Sequence, residues 1–435
     1  MRGLQRARYG GYESFDRIVI VGAGRAGTAA AEELRMQGFA GEISIICDEL
    51  EAPYDRPSCS KGILTGHQRP KDTRMPMADG TDLIWRLGRR AVQLDTRRRV
   101  VHTDDGDSHD YDGLIIASGS RAVFPNGWPA GEPGLHVLYS LADAWELRKD
   151  LWGARKVVVV GGGLTGCETA YAVRSLAREA MLIDRNPQVM TRAIGEPVGA
   201  LVTDELRRDG VQLRLGRKVT DVTRRRGGWH LVLDDGEDIY TDVVVVTAGE
   251  KPNTEWLASA PELDTSNGVL CDSSLRVVNA EGIVAAGTVA RWPNLRYDST
   301  PGRCGQWIAA YEQGRAAAQA LLADDRPVAP CIPVPRFWSQ QYGLRIQVCG
   351  TLPNDAEVTM TALRPGRSDV ARAGVLASYM RDGQVMGLVA VNAPHAFMAV
   401  SRTMLSVRPQ LVEEEIPEPA YEEEYQQMAR VVNLR

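Results

Sequence analysis

The sequence predicts an α/β protein in which two parallel-sheet domains are followed by a smaller α+β domain. A pattern of strand, glycine turn, helix and strand occurs once from Arg17 and again from Lys156. From about residue 327 this pattern gives way to a proline-rich linker and then to alternating apolar runs, which are typical of an antiparallel sheet. The chain has 435 residues, enough to bury about two or three cores.

Composition excludes several classes of protein. The net charge of −5 gives no nucleic-acid signal, no apolar stretch is long enough for a membrane span, and the first residues lack the apolar core of a signal peptide. The seven cysteines include no C-x-x-C pair, and the six histidines are dispersed. We therefore expect a cytoplasmic protein without a metal site, a disulfide framework, or a nucleic-acid or membrane partner.

The first nucleotide motif begins with the run "RIVIVGAG", which is short, β-branched and typical of a buried parallel strand. A helix closing on Gly38 and a second strand, "EISIICD", follow it. Gly22, Gly24 and Gly27 have the G-x-G-x-x-G spacing that lets backbone approach a diphosphate at a helix N-terminus. Asp48, at the end of the second strand, is placed to accept hydrogen bonds from ribose hydroxyls.

The second motif, "KVVVVGGGLTGCETAYAVRSLA", repeats this pattern with Gly161, Gly163 and Gly166. Two complete motifs predict two dinucleotides, with hydride passing between a nicotinamide and a flavin; a duplicated domain with one inactive site is the alternative. Asp184 ends the following strand, where a carboxylate repels the 2′-phosphate of NADPH and binds the free 2′-hydroxyl of NADH. We therefore expect NADH, although two nearby cations act against this preference: Arg185 and Arg192.

Further predicted cofactor contacts lie on strands and small-residue turns that let backbone lie close to a ligand. The turns end the runs "DGLIIASGS", "DVVVVTAGEKPN" and "GIVAAGTVARWPN". The acidic tail "EEEIPEPAYEEEY" is predicted to be a solvated segment. The additional predicted contacts are Val92, Gly119, Arg121, Gly249, Gly287 and Thr288.

From about Asp16 to about Met404 the chain resembles the FAD-dependent, NADH-using ferredoxin reductases of bacterial oxygenase systems. The resemblance is carried by "YDRPSCSK", "GGGLTGCE", "ARWPN", "YEQGRAAA" and "FWSQQYGLRIQVCG", the last being typical of the family's C-terminal domain. It implies two Rossmann-like domains of the glutathione-reductase type and an iron–sulfur ferredoxin as electron acceptor. The implied domains are an FAD domain of residues 14–122 and 248–328, an NAD(H) domain of residues 123–247, and a C-terminal interface domain of residues 329–435.

The resemblance also implies residue roles. Arg56 and Lys61 match the family's flavin loop, and Lys61 is expected near the flavin N5, paired with Glu168. Trp307 matches the tryptophan of the family's E-H-W segment, and Trp338 the tryptophan that the C-terminal domain brings to the flavin edge. The predicted catalytic residues are Lys61, Glu168 and Trp338. Because small ferredoxins are generally acidic, two arginines are expected to steer docking: Arg303 and Arg336.

Three departures from the family keep two alternatives open. Thr288 stands where the family has an aspartate, Gln306 replaces the histidine of E-H-W, and Cys59 replaces a leucine. A thiol with a lowered pKa beside Lys61 would make the chain a single-cysteine NADH oxidase or a disulfide or persulfide reductase. Loss of the aspartate predicts weaker FAD binding, and in the extreme a nucleotide-binding module without turnover. The sequence leaves open whether the chain is a monomer or a homodimer.

Overall fold

The computed structural model of the protein describes residues 15–77, 81–363 and 374–406. The acidic tail predicted to be solvated lies outside these residues. Among the described helices, none is both long enough and apolar enough to cross a membrane. The α-helices are α1 (Arg25–Met36), α2 (Leu141–Gly153), α3 (Leu164–Ser175), α4 (Thr191–Ile194), α5 (Glu196–Arg208), α6 (Trp307–Ala323) and α7 (Pro394–Ser406).

The strands divide into three successive groups along the chain. Those before residue 123 are β1 (Arg17–Val21), β2 (Glu42–Cys47), β3 (Ile84–Leu87), β4 (Ala91–Asp95), β5 (Val100–Thr103), β6 (Ser108–Asp110), β7 (Gly113–Ile116) and β8 (Ser120–Ala122). The middle group contains β9 (Leu135–Val137), β10 (Lys156–Val160), β11 (Glu179–Asp184), β12 (Gln212–Leu215), β13 (Val219–Arg225), β14 (Gly228–Leu233), β15 (Asp238–Thr241) and β16 (Val243–Val246). The last group contains β17 (Glu250–Pro252), β18 (Val269–Leu270), β19 (Ile283–Ala285), β20 (Ala290–Trp292), β21 (Gly302–Arg303), β22 (Arg336–Gln341), β23 (Leu344–Gly350), β24 (Glu357–Leu363), β25 (Gly374–Arg381) and β26 (Gln384–Val391).

The first parallel sheet has the described strand order β19-β7-β1-β2-β3. Helices α1 and α6 pack against each other beside it, and Glu33 of α1 accepts a hydrogen bond of 2.6 Å from Arg315 of α6. Since β19 follows β7 by more than 160 residues, the chain leaves this sheet and returns to it. The arrangement is the one that a discontinuous first domain requires, while the boundaries given above stay predictions.

The second parallel sheet is built by the segment between those two parts, with the described order β12-β11-β10-β16-β9. Its central strands read as unbroken valine runs because a parallel sheet is covered on both faces. All four residues of β16 are buried. The predicted α/β fold class with two Rossmann-like sheets is confirmed.

The C-terminal sheet is antiparallel, with the described order β22-β23-β26-β25-β24, and α7 packs against β26 and β23. The hairpin between β25 and β26 turns at Asp382 and Gly383, whose φ angles are +51° and +75°. Two successive positive φ angles are typical of the type I′ turn that joins tightly paired strands. The predicted hairpin and the predicted α+β character of this region are therefore confirmed.

The proline-rich segment before β22 is hydrogen-bonded to the rest of the protein through its second half. Residues 327–335, all of them described, are neither helix nor strand. The Cys331 amide donates to the Ser273 carbonyl at 2.7 Å, and the Trp292 indole donates to the Cys331 carbonyl at 2.9 Å. Asn294 donates to the Pro333 carbonyl at 2.9 Å. The predicted linker is thus a fixed strap, a name we keep for residues 327–335.

Candidate nucleotide and redox site

The first glycine turn brings two backbone segments too close together for side chains. Gly22 has a φ of +114°, and a Cβ on it would lie 2.0 Å from the Ala117 carbonyl oxygen. A Cβ on Gly27 would lie 1.9 Å from the Gly22 carbonyl oxygen. At Gly24, by contrast, a Cβ meets no atom within 4 Å among the described residues beyond its own helix and chain neighbours. No described side chain caps α1 there, so its N-terminal end faces open space that fits a diphosphate.

The second glycine turn has the same geometry. Gly161 has a φ of +115°, and a Cβ on Gly166 would lie 1.8 Å from the Gly161 carbonyl oxygen. The space beside Gly163 is open to 4 Å within the described residues, and no described side chain caps α3. The protein therefore presents two similar helix ends, one on each parallel sheet, that fit the diphosphates of two dinucleotides.

Two further glycine segments lie beside the first turn. Gly287 has a φ of +82°, its amide donates to the buried Gln313 side chain at 2.6 Å, and a Cβ on it would lie 3.0 Å from the Ala26 Cβ. A Cβ on Gly119, where φ is +66°, would lie 3.5 Å from the Thr288 hydroxyl. The structure thus brings the segments around residues 119 and 287 together at the start of α1.

A cation that the sequence analysis did not select lies at this turn. The Arg25 guanidinium is 4.8 Å from the ring centroid of Trp307 and 4.2 Å from that of Tyr311. Trp307 is the first residue of α6, so Arg25 joins the N-terminal ends of two helices. A cation stacked on aromatic rings at that place favours an anionic ligand. The available signal was the arginine inside "GAGRAG".

The loop of residues 54–64 combines a 3₁₀ turn, Arg56–Ser58, with a π-helical turn, Cys59–Ile63. Arg56 anchors it, donating to Glu49 at 2.6 Å and to the Tyr139 carbonyl at 3.0 Å. π-Helical turns are rare and frequently mark functional sites.

The Lys61–Glu168 ion pair implied by the resemblance is formed, with 2.8 Å between the Lys61 Nζ and the Glu168 Oε1. The Glu168 side chain is 4% exposed and also accepts hydrogen bonds of 2.5 Å from the hydroxyls of Ser60 and Ser339. A buried carboxylate requires such donors, since an unpaired charge in the interior is costly. The pair joins the loop after the first motif to the first turns of α3; its catalytic role stays a prediction.

Asp184 lies at the second glycine turn. Its carboxylate accepts hydrogen bonds of 2.5 Å from the Gly162 amide, and of 2.7 and 2.8 Å from the backbone and side-chain nitrogens of Asn186. Arg185 and Arg192 are exposed nearby in the sequence. The predicted specificity carboxylate is therefore fixed against the turn that it is expected to serve.

Cys59 is a buried apolar residue in this structure. Its side chain is 3% exposed and belongs to the core cluster with Ile63 and Leu64. Burial raises the pKa of the Cys59 thiol to about 12, which outweighs the lowering by Arg56. The lowered pKa on which the disulfide-reductase alternative depends is therefore wrong, because burial dominates and the Lys61 ammonium is paired with Glu168.

This burial predicts that Cys59 in the native protein reacts with iodoacetamide about 1,000-fold more slowly than in the unfolded chain at pH 8, since the thiolate is the nucleophile. The native rate should still rise between pH 9 and 11, where the unfolded chain approaches its plateau. Alkylation followed by peptide mass spectrometry measures both rates, and the Cys59→Ser variant identifies the peptide. Rapid native labelling at pH 7 would contradict the assignment.

The other predicted cofactor contacts lie on or next to strands of the first and last groups. Asp48 is exposed directly after β2, and Val92 is 44% exposed on β4. Arg121 donates to Asn253 at 2.7 Å and to Glu255 at 2.6 Å, and its role as a cofactor contact stays a prediction. Gly249, just before β17, has a φ of +135°, and Trp338 on β22 is 46% exposed.

Two arginines that were expected to steer docking, Arg303 and Arg336, each have a carboxylate partner within the chain. Arg303 pairs with Glu250 at 2.9 Å, and Arg336 pairs with Glu312 at 2.8 Å. Their side chains are only 20% and 15% exposed. Both arginines therefore form ion pairs within the chain, and their role in docking stays a prediction.

Sequence reasoning also missed Ser60, Ser339 and Tyr139. Ser339 is 171 residues from Glu168, and no local pattern relates them. Tyr139 shares side-chain hydrogen bonds with Thr288 and Ser120, so an aromatic residue just before α2 lies beside the turn that contains Thr288. The serines lay within quoted motifs, "SCSK" and "FWSQQY", which was the only signal for them in the sequence.

Two glycine turns on two parallel sheets, together with an ion pair between the loop after the first motif and α3, define an oxidoreductase that binds two nucleotides. Residues 16–314 match the family model described as pyridine nucleotide-disulphide oxidoreductase, and residues 336–422 match the one described as reductase C-terminal. The chain belongs to the pyridine nucleotide-disulphide oxidoreductase family, within its branch of ferredoxin–NAD(+) reductases of oxygenase systems, as its sequence relatives show. The resemblance described above is confirmed.

Individual relatives span nearly the whole chain. The biphenyl dioxygenase system ferredoxin–NAD(+) reductase component of Paraburkholderia xenovorans is 32% identical over 391 residues, which cover 89% of this chain and 92% of that protein. The ferredoxin reductase for the CYP199A2 system of Rhodopseudomonas palustris superposes with a TM-score of 0.80 at 28% identity, covering 88% of this chain and 93% of that one. Putidaredoxin reductase in its covalent complex with putidaredoxin gives a TM-score of 0.79 at 27% identity, with coverage of 89% and 93%.

Proposed function

We propose that the protein is a flavoprotein reductase that accepts a hydride from NADH onto FAD and passes the electrons singly to an iron–sulfur ferredoxin of an oxygenase system. The observation that carries this proposal is the Lys61–Glu168 ion pair, in which a half-buried lysine on the loop after the first motif meets a buried glutamate on α3. The names of two relatives support it, since both are ferredoxin–NAD(+) reductase components of dioxygenase systems. The neighbour crystallised as a covalent complex with putidaredoxin supports a protein electron acceptor.

The chain's own residues fit both nucleotides. The open N-terminal end of α1 at Gly24 would hold the diphosphate of FAD, and the open end of α3 at Gly163 would hold that of NADH. Bound FAD supplies a two-electron acceptor that can release its electrons one at a time. Lys61 would place a positive charge near the bound flavin, and Glu168 fixes that charge in position. Thr288 would offer FAD only a neutral hydroxyl, whereas a carboxylate at the same position would form a stronger hydrogen bond to it.

The nucleotide preference depends on Asp184. Replacing Asp184 with Ser is expected to lower the ratio of kcat/KM for NADH over that for NADPH at least about tenfold, because the carboxylate that repels a 2′-phosphate is removed. Serine keeps an oxygen that can accept from Gly162. Steady-state kinetics with both nucleotides measure the ratio, and Asp204→Ser on the exposed face of α5 serves as the control. An unchanged ratio would assign the preference to another residue.

Anaerobic titration of the purified protein with NADH, followed by flavin absorbance, tests the function. One equivalent of NADH per flavin should complete the reduction, and a one-electron iron–sulfur acceptor should then reoxidise the protein. Consumption of a second equivalent with release of a thiol would instead support a disulfide reductase acting through Cys59. A colourless protein that does not take up added FAD would overturn the proposal in favour of a nucleotide-binding module.

A further inference from the structure

Glu168 is the meeting point of three separate parts of the chain. In the described residues its two carboxylate oxygens accept from Ser60 and Lys61, on the loop after the first motif, and from Ser339, on strand β22 of the C-terminal sheet. Ser339 and Lys61 share one oxygen, Oε1, at 2.5 and 2.8 Å, while Ser60 binds the other at 2.5 Å. The C-terminal domain therefore contributes directly to the environment of the lysine–glutamate pair.

Strand β22 extends from the buried Glu168 carboxylate to the surface of the protein. Successive side chains of a strand point to opposite faces. Trp338 is accordingly 46% exposed, whereas Ser339 has no exposed surface. The residue that holds Glu168 thus lies next to the aromatic residue that faces outward.

Other contacts hold the same domain against the second nucleotide turn. The Tyr342 hydroxyl donates to the Cys167 carbonyl at 3.2 Å, one residue before Glu168 on α3. The Tyr379 hydroxyl donates to the Ile194 carbonyl at 2.6 Å, at the end of α4. Since these bonds do not involve Ser339, removing its hydroxyl alone leaves the domain attached to α3 and α4.

We propose that Ser339 is a positioning residue for flavin reduction, acting through Glu168 on Lys61. With two donors on Oε1 and one on Oε2, the carboxylate is held in one orientation, and the Lys61 ammonium is held with it. Without the Ser339 hydroxyl, Oε1 keeps only Lys61, and the ion pair can rotate about the remaining Ser60 bond. The inference rests on the proposed function and assigns to the C-terminal domain a part in hydride acceptance as well as in any contact with a partner protein.

The test compares Ser339→Ala, Ser339→Thr and, as a control, Ser401→Ala, which removes a buried hydroxyl from α7. In stopped-flow reduction, Ser339→Ala should lower the limiting rate about tenfold with the apparent Kd for NADH changed less than about twofold. Ser339→Thr keeps the hydroxyl and should restore most of the rate. At equilibrium with a reference dye, Ser339→Ala should also shift the flavin toward its oxidised form.

The outcomes separate this inference from the function on which it rests. A wild-type protein that NADH does not reduce would overturn the proposed function itself. A wild-type protein that is reduced, with a Ser339→Ala variant of equal limiting rate and equal dye equilibrium, would overturn the role of Ser339 alone. So would a variant in which only the Kd for NADH changes, since that indicates a structural effect on the second turn. If Ser339→Ala does not fold, Ser339→Cys, similar in shape but a weak donor, should show the same loss of rate.

Discussion

Replacing Glu168 with Gln is expected to slow the reduction of bound FAD by NADH about 100-fold, in the range found when a preorganised charge partner is removed. The glutamine keeps the shape and can still contact Ser60 and Ser339, but it leaves the half-buried Lys61 ammonium without its counter-charge. Stopped-flow absorbance under anaerobic conditions measures the rate at saturating NADH. Lys61→Met should give a similar loss.

The two substitutions act on one pair, so the double variant should be little slower than either single variant. Glu205→Gln is the matched control, because Glu205 is also a mostly buried helical glutamate with an arginine partner, Arg208, but lies on α5. An unchanged reduction rate in Glu168→Gln would show that the pair stabilises the domain contact without assisting hydride transfer.

Replacing one glycine in each turn with alanine is expected to impair FAD binding and reduction by NADH independently of each other. Gly27→Ala places a Cβ 1.9 Å from the Gly22 carbonyl oxygen, and Gly166→Ala places one 1.8 Å from that of Gly161. Because these obstacles are backbone atoms, the glycine turns must distort. Gly27→Ala should be purified with less than about one tenth of the wild-type FAD, and Gly166→Ala should keep FAD yet be reduced by NADH about 100-fold less efficiently.

Flavin content and the NADH dependence of reduction measure these effects. Gly153→Ala is the control. A Cβ at this helical position meets no described atom within 4 Å apart from its chain neighbours and the backbone of its own helix. Normal reduction of Gly166→Ala by NADH would place the nicotinamide nucleotide elsewhere. Loss of FAD from both glycine variants would instead indicate that the two sheets fold as one cooperative unit.

The parts of the molecule that were predictable are those specified by neighbours in the sequence. The first glycine turn is specified within its motif, because Gly22 has a positive φ and a Cβ on Gly27 would meet the Gly22 carbonyl oxygen. The positive φ angles of Asp382 and Gly383 specify a hairpin in the same local way. The Lys61–Glu168 pair was reached through family resemblance, since its members come from separate motifs.

The parts that were not predictable depend on contacts between distant segments. Ser339 reaches Glu168 across 171 residues, and the internal partners of Arg303 and Arg336 are determined by how loops fold over α6 and β17. The raised pKa of Cys59 follows from burial by side chains of several separate segments. In the sequence only the nearby Lys61 is visible, and a neighbouring cation predicts a lowered pKa.

The strap, residues 327–335, also bears on how the chain is cut. Proteases cleave exposed, extended segments whose backbone can leave the protein surface, and proline-rich junctions between domains are often such places. Here the carbonyls of Cys331 and Pro333 are bound by Trp292 and Asn294. A protease added to the native protein would have to break these bonds first, so we expect mild digestion to leave the C-terminal sheet attached to the rest of the protein.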